Sequence, residues 1–274
     1  MKKPIVLLGL FFVIGLAACT KQNETNQTTT PTTASTTKDA KNDKSFERLT
    51  AQEGKEIDEM MEEIDYERPE VKVEGDALVY KGALYYSGLV KLEKLYKENP
   101  KVTRLKLESP GGVTLLGMSF GEFVHKNNLD VEVTGTVFSS AANYIFTAGK
   151  KVYLHKDSII GFHGGEGDPT EPIEGMEERT KEEQKEYEAN ARRGYNWQTE
   201  FFKELGVNPS IVNLGQDKKY EKYSDEKIVG WTYTLEVFKK LGIKNIELVD
   251  GEWNTPTDMG DGESLFVIQA NDIK

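Results

Sequence analysis

The fold is decided by three segments, LKLESPGG (105–112), VEVTGTVFSSAA (131–142) and SIIGFHGG (158–165). Each is an apolar run of strand type that ends in small residues. Strands stop at such glycine-containing breaks, and the sharp turns that follow expose backbone N–H groups. A serine, a histidine and exposed N–H groups are the components of an acyl-transfer site. The three segments therefore predict a serine hydrolase site.

Helical patterns alternate with the apolar runs through the middle of the chain. Apolar residues at helical spacing predict helices over 85–98 and 114–126, and a small-residue segment predicts another over 140–148. Strands are expected at 77–80, 105–107, 131–133, 152–154 and 158–162. This alternation predicts βαβ units and an α/β fold with a mostly parallel sheet. Ligands bind such sheets at the carboxyl ends of the strands, where the three breaks fall.

The flanking regions divide the chain further. Apolar residues at helical spacing among Glu and Lys predict an amphipathic helix within 46–70 that docks on the domain or on a partner. The main domain is expected over 71–250. An acidic loop in it leads into a long helix that ends at Leu205, and this helix is expected either to close over the site as a lid or to cap the sheet. Residues 251–274 are expected to form a C-terminal strand, at 265–268, and a tail.

The N-terminus has the pattern of an export signal. Two lysines precede an apolar run in residues 1–18, which is short for a membrane span, although a retained transmembrane anchor is the alternative. LAAC (16–19) resembles the bacterial lipoprotein box, which implies a lipid-modified, palmitate-type anchor at Cys19. Residues 19–45 are rich in Thr and almost free of apolar side chains, so they predict a disordered tether. The expected location is the extracytoplasmic face of a bacterial cell membrane.

Composition excludes several classes of function. The net charge of −11 disfavours binding to nucleic acid, which is itself a polyanion. Cys19 is the only cysteine, so no intramolecular disulfide forms. The three histidines have no metal-ligand spacing, and no phosphate-binding loop is present. We therefore expect neither a metal nor a cofactor.

Several motifs together resemble the Clp-type serine protease subunit. They are ENP (98–100), LKLESPGGV (105–113) and GMS (117–119), followed by the serine and histidine segments. The match spans about 77–248, and SAANYIFTAG (140–149) is similar to secreted Clp-like proteins of unassigned role. The resemblance implies a ClpP/crotonase-like spiral of βαβ units with flanking helices, and it suggests a homo-oligomer.

The resemblance also implies roles for individual residues. Ser140 corresponds to the nucleophile and His163 to the general base, and the N–H groups of Gly112 and Ala141 correspond to the oxyanion hole. The local pattern agrees, because Ser140 lies where a strand turns into a helix, whose N-terminus favours developing negative charge. Ser139, one residue earlier, stays open as the alternative nucleophile.

Two other histidines compete for the role of the base. His125 lies near the end of a helix and His155 in a Lys-containing turn, so both are expected at the surface. Only His163 ends an apolar strand beside glycines. The sequence therefore favours His163 as the base.

The chain departs from the Clp pattern at the third catalytic member. The orienting aspartate is expected near Gly230, where no acid is present. Asp217, Asp225 and Glu226 are upstream candidates. The site is therefore expected to be a Ser–His dyad or to take its carboxylate from elsewhere.

Three functions follow from these patterns. The first is a membrane-tethered, ATP-independent serine peptidase that acts on peptides or unfolded chains, because ATP is not supplied outside the cytoplasmic membrane. The second is a catalytically weak or inactive module that binds peptides or proteins, as the missing aspartate suggests. The third is a crotonase-like acyl-CoA enzyme, which export and the lack of a basic cluster disfavour.

Overall fold

The structure, a computed structural model, describes residues 48–64, 66–171 and 176–273. The predicted signal (1–18), the Thr-rich tether (19–45) and Cys19 lie outside these residues. Within the described ranges, no helix combines the length and apolarity needed to cross a membrane.

Helices and strands alternate through the centre of the chain, as the sequence predicts. The α-helices of the described part are α1 (Ala51–Glu63), α2 (Tyr86–Glu98), α3 (Thr114–Lys126), α4 (Lys181–Leu205) and α5 (Leu235–Lys240). The strands are β1 (Glu70–Glu74), β2 (Ala77–Lys81), β3 (Arg104–Ser109), β4 (Asp130–Phe138), β5 (Val152–Leu154), β6 (Ile159–Gly161), β7 (Ile228–Tyr233), β8 (Ile246–Leu248), β9 (Asp258–Gly260) and β10 (Glu263–Ile268). A π-helix, Ala141–Phe146, follows β4 in the place of the helix predicted over 140–148.

The main sheet of the described part is mostly parallel. Its order is β1-β2-β3-β4-β5-β8, with β6 paired to β4. Only the β1–β2 pair is antiparallel. The predicted α/β class with a mostly parallel sheet and flanking helices is confirmed.

Strand β4 organises the sheet because it is long enough to pair with two strands along one edge. Its first half pairs with β5 and its second half with β6, where Phe138 is opposite Gly161. Along its other edge it pairs with β3, and Ser109 at the end of β3 is opposite Val137. The carboxyl ends of β3, β4 and β6 therefore meet at one place, as parallel pairing requires.

Helix α4 covers the helices that lie on the sheet. A Thr180–Glu183 capping box begins this 25-residue helix, and Gly206 ends it in the left-handed conformation. Its residues Phe201 and Phe202 are buried and pack against Tyr144 of the π-helix, with ring centroids 5.9 and 6.0 Å away. The buried aromatic side chains therefore hold α4 on the helix layer.

The outer elements dock on this core. Ile57 and Met61 of α1 are buried, and Asp58 accepts the N–H groups of Tyr86 and Ser87 at the start of α2. The predicted C-terminal strand is β10, which pairs parallel with β7 and antiparallel with β9. Reciprocal 2.8 Å backbone bonds between Phe162 and Trp231 join β7 to the chain just beyond β6. The small sheet therefore lies beside the histidine segment.

Candidate active site

Ser139 occupies a sharp turn between β4 and the π-helix. Its φ angle is 57°, a left-handed conformation that costs free energy for a residue other than glycine. Two bonds hold the turn, because the Ser139 N–H donates to Gly161 O at 3.0 Å and its carbonyl accepts the Asn143 N–H at 2.8 Å. A strained strand-to-helix turn is the geometry that presents a serine hydroxyl in α/β hydrolases.

The hydroxyl of Ser139, and not that of Ser140, faces the histidine. Ser139 Oγ lies 2.6 Å from His163 Nε2. Ser140 Oγ instead donates to Gly112 O at 2.7 Å, and its residue is 1 % exposed. Of the two serines that the sequence left open, the structure therefore brings Ser139 to His163 and directs Ser140 to Gly112. The physical reason is the backbone, since Ser140 already has helical angles (φ −59°, ψ −25°) and its side chain packs against Gly117 of α3.

His163 reaches Ser139 because their strands are adjacent and parallel. One residue, Phe162, separates it from the end of β6. Its ring packs on Phe138 of β4 with centroids 5.1 Å apart. Burial lowers the pKa of His163 below its usual value, so the neutral base is favoured. A neutral imidazole with its proton on Nδ1 accepts the Ser139 hydroxyl at Nε2.

The other two histidines lie elsewhere. His155 Nε2 is 3.1 Å from a carboxylate oxygen of Glu132. His125 is in the last turn of α3 and lines a cavity formed with the ends of α4 and α5. Neither histidine has a hydrogen bond to Ser139 or Ser140 in the described part of the chain.

Two backbone N–H groups are available beside Ser139. Gly111 O accepts from Leu84 N at 2.9 Å, so the N–H of Gly112 in the same trans peptide points away from Leu84. The next carbonyl, Gly112 O, is held by the Ser140 hydroxyl. Among residues 48–64, 66–171 and 176–273, the N–H groups of Gly112 and Ser140 have no protein acceptor. These two groups are the candidate oxyanion donors of the site.

Of the two oxyanion-hole donors that the resemblance implies, Gly112 is among the two N–H groups found beside Ser139, and Ala141 is not. The resemblance implies the N–H of Ala141, which follows Ser140, whereas the N–H without an acceptor beside Ser139 is that of Ser140. Gly111 brings the two turns together, since a Cβ on it would lie 2.7 Å from Ser139 Cβ and 2.9 Å from Ser140 N. Its φ of +95° also favours glycine.

The backbone that follows His163 is held by four side-chain amides, which we call the amide clamp: Asn143, Gln198, Asn213 and Gln216. Asn143 Nδ2 donates to Gly164 O at 2.6 Å, and Gln216 Nε2 lies 3.4 Å from His163 O. Gly165 N–H donates to Asn213 Oδ1 at 2.8 Å. Gln198 accepts the Glu166 N–H and donates to the Glu166 carbonyl, both at 2.9 Å. The clamp fixes the segment that carries the imidazole.

No carboxylate among the described residues hydrogen-bonds to His163. Asp217 lies in the same cavity as His163, but its carboxylate lies 3.7 Å from Lys219 Nζ. Asp225 accepts the N–H of Lys227, and no bond joins Glu226 to the histidine. Gly230, near which the orienting aspartate was expected, has no room for a side chain, because a Cβ there would lie 2.2 Å from Phe162 O. The contacts that hold the histidine segment among the described residues are those of the amide clamp.

Glu166 is an enclosed carboxyl group next to the clamp. It accepts a hydrogen bond from the Thr114 hydroxyl at the start of α3 and packs on Gly194 of α4. Burial raises the pKa of this carboxyl above its usual value. The contact joins the histidine segment to the helix that follows the Gly111–Gly112 turn.

A cavity of about 270 Å³ opens beside the imidazole, on the side of β7 and β10. Four aromatic residues line it together with His163: Tyr220, Tyr223, Trp231 and Phe266. Within the described ranges, no group of three or more His, Cys, Asp and Glu side chains is arranged to hold a metal ion. The groups that the described residues bring together at the site are a hydroxyl, an imidazole and two N–H donors.

Comparison with known proteins finds similar solved structures only at low identity. No family model matches the chain, and no curated protein matches its sequence. The structure is similar to a methylmalonyl CoA decarboxylase, at 12 % identity and a TM-score of 0.29, over 65 % of this chain and 88 % of that chain. It is also similar to a mutant of the 1510-N membrane-bound stomatin-specific protease, at 13 % identity and a TM-score of 0.38, over 70 % and 94 % of the two chains. By their names, the two neighbours are a decarboxylase and a protease.

Proposed function

We propose that the protein is a serine-type peptidase of Clp-like architecture that cleaves peptides or unfolded chains without ATP. The observation that carries this proposal is the 2.6 Å contact of Ser139 Oγ with His163 Nε2 at a strained strand-to-helix turn. Two unpaired N–H groups beside that turn supply the remaining element of acyl transfer.

In the first half of the reaction, Ser139 forms an acyl-enzyme. His163 Nε2 takes the hydroxyl proton while Oγ attacks the scissile carbonyl carbon. The N–H groups of Gly112 and Ser140 stabilise the negative oxygen of the tetrahedral intermediate, and one such donor is commonly worth about 3 kcal/mol in the barrier. The C–N bond then breaks, and the imidazolium gives its proton to the leaving amine.

In the second half, water replaces the amine. His163 takes a proton from the water, which attacks the ester carbonyl, and Ser139 leaves with the proton restored. The lowered pKa of His163 keeps the imidazole neutral and ready for both proton transfers. Because the amide clamp holds the backbone and not Nδ1, control of the tautomer is weaker than in a triad, and we expect a slower enzyme.

The proposal is tested with a fluorophosphonate probe on the full-length protein in membranes. We expect the wild type to be labelled, with the modified peptide mapping to Ser139. Ser139→Ala is expected to remove labelling, and His163→Gln to slow it by about 100-fold or more, since general-base catalysis contributes about 100- to 10,000-fold.

Ser140→Ala is the matched control for the adjacent serine. It removes the bond to Gly112 O and keeps the Ser139–His163 pair, so labelling at Ser139 is expected to persist at a reduced rate. Modification of Ser140 in the wild type would overturn the assignment. A folded wild type that takes no label but binds peptides would instead be the inactive binding module that the missing aspartate suggests.

We further propose that a lipid on Cys19 tethers the domain to the extracytoplasmic face of the membrane. The support is the LAAC segment at 16–19 and the Thr-rich composition that follows it. Radiolabelled palmitate is expected to enter the wild type and not Cys19→Ser, and only the wild type should partition with detergent. Equal incorporation into both proteins would contradict the anchor.

A further inference from the structure

The cavity beside His163 takes no part in the acyl-transfer steps described above. It is lined by the aromatic residues Tyr220, Tyr223, Trp231 and Phe266 and by Asp217 and Glu221, and it opens to solvent. The imidazole forms one part of its wall. A substrate held at Ser139 therefore has a side-chain-sized space open to it on the imidazole side.

The position of the cavity relative to the reacting bond follows from its lining. It is lined by His163 but not by Gly111, Gly112, Ser139 or Ser140. The acyl oxygen belongs with the N–H donors, whereas the leaving amine must lie next to the imidazole that protonates it. The cavity is thus on the leaving-group side of the scissile bond, where the first residue after that bond places its side chain.

Its walls are aromatic. Tyr223 and Phe266 are stacked with centroids 4.5 Å apart and an interplanar angle of 8°, and Trp231 lies 6.2 Å from Phe266. Aromatic faces attract ammonium and guanidinium groups. Two lysines of the same segment already lie over such rings, with Lys219 Nζ 4.9 Å from the Tyr220 ring centre and Lys222 Nζ 5.0 Å from the Tyr223 ring centre.

Its fixed charges are negative. Asp217 and Glu221 line the cavity, and no Lys or Arg does. Lys219 lies 3.7 Å from Asp217, whereas Glu221 has no ion pair in the described part of the chain. In addition, the buried Tyr220 hydroxyl has no hydrogen-bond partner among the described residues. An acidic residue without an ion pair and aromatic walls together match a long cationic side chain.

We propose that this cavity binds a lysine or arginine side chain on the leaving-group side of the cleaved bond. The assignment rests on the proposed peptidase function and adds its substrate class. Glu221 is the residue that determines the preference for positive charge. The aliphatic stem of the substrate side chain packs on the aromatic walls, and its charged end meets Glu221.

The test compares peptides that differ only in the residue after the scissile bond: lysine, arginine, norleucine and glutamate. Norleucine keeps the aliphatic stem of lysine and removes its charge. We expect kcat/KM for lysine and arginine to exceed that for norleucine on the order of tenfold, because one ion pair and cation–π contacts are lost. Glutamate is expected to be the poorest of the four.

Two variants assign the effect to the cavity. In the Glu221→Gln variant, the lysine and norleucine peptides are expected to be cleaved at equal rates. Glu204→Gln, an equal charge change at an exposed position of α4, is expected to leave both rates unchanged. Equal rates for lysine and norleucine in the wild type, or an equal effect of Glu221→Gln on both, overturns the proposal.

A binding measurement separates failure of this inference from failure of the proposed function. Fluorescence anisotropy with Ser139→Ala compares the affinity for the lysine and norleucine peptides without turnover. Tighter lysine binding that Glu221→Gln abolishes supports the cavity assignment even if the wild type takes no fluorophosphonate label. Equal affinities overturn it even if the label maps to Ser139.

Discussion

Gln198 connects the histidine segment to the helix layer, and its removal tests how the imidazole is held. Its Oε1 accepts from the Tyr144 hydroxyl at 2.7 Å and from the Glu166 N–H at 2.9 Å, and its Nε2 donates to the Glu166 carbonyl at 2.9 Å. The residue is 3 % exposed, so the groups left behind stay buried. At about 1 kcal/mol for each net bond, we expect Gln198→Ala to lower the free energy of unfolding by about 3 kcal/mol.

The same substitution is expected to lower kcat more than it raises KM. Gln198 holds the backbone of Glu166, three residues after His163, and touches neither the hydroxyl nor the cavity. Loosening that segment disperses the imidazole positions, and a fall in kcat of about tenfold is expected from lost orientation. Substrate binding depends on other residues, so KM should change little.

Urea unfolding followed by circular dichroism, together with steady-state kinetics, measures both effects. Gln52→Ala is the control, because Gln52 is an exposed helical glutamine with a single side-chain bond, to Glu56 at 2.8 Å. The control is expected to stay within about 0.5 kcal/mol of the wild type. If Gln198→Ala loses no more stability than the control, or raises KM at constant kcat, the amide clamp does not position the base.

A conservative variant sharpens the test. Gln198→Glu keeps both acceptor bonds, loses the donor bond to the Glu166 carbonyl and places a second carboxyl near Glu166. We expect it to be destabilised at neutral pH and to recover partly as the pH falls and the new carboxyl takes up a proton. A stability difference from the wild type that is independent of pH would contradict this account.

Three further substitutions or titrations probe the turn, the base and the enclosed carboxyl. Gly111→Ala is expected to lower the free energy of unfolding by about 2 kcal/mol or more and to remove activity, since φ is +95° and the new Cβ would lie 2.8 Å from Phe138 O. Gly167→Ala is the control in the same denaturation assay, because the space around its Cβ is open. Because burial lowers the pKa of His163 below 6.5, the acid limb of kcat/KM is expected below pH 6.5. As the pH falls below 6.5, the imidazole of residue 163 is protonated in the unfolded chain before it is protonated in the folded state, so the free energy of unfolding falls until the folded pKa is passed. His163→Gln should flatten that part of the curve of stability against pH. Because the pKa of Glu166 is raised above 4.5, the folded state keeps the carboxyl proton to higher pH than the unfolded chain does. The contribution of this carboxyl to the free energy of unfolding is therefore lost as the pH rises through the folded pKa. Glu166→Gln is therefore expected to be more stable than the wild type at pH 7 and level with it at pH 4 in urea unfolding, and equal stability at both would contradict the raised pKa.

The fold class and the position of His163 beside the serine turn were predictable from the sequence because their signals are local. Apolar runs that end in glycine mark where strands stop, and the alternation with helical spacing predicts parallel pairing. Parallel pairing then brings the ends of β3, β4 and β6 together, as observed. Only His163 follows such a strand end, so its place beside the serine turn required no knowledge of distant contacts.

The positioning residues were missed, although one signal was present. Gln198 is adjacent to Trp197 on the buried face of α4, and a polar residue among buried aromatics indicates a specific partner. Asn143 in the small-residue helix gave a weaker form of the same signal. Asn143 bonds to Gly164, 21 residues away in sequence, and Gln198 to Glu166, 32 residues away, so no local pattern identifies these partners.

By itself the sequence determined the parallel sheet, the meeting of its three glycine-terminated strands, and the presence of a serine pair opposite one histidine. Only the tertiary structure decided which serine faces the imidazole, because one residue separates a left-handed turn from a helical backbone and the two side chains point to different places. Contacts with Gly111, Gly161 and Asn143 hold that turn. Tertiary packing also leaves no space for a side chain at Gly230, near which the aspartate was expected. Neutral amides such as that of Asn143 instead hydrogen-bond to the backbone that follows His163.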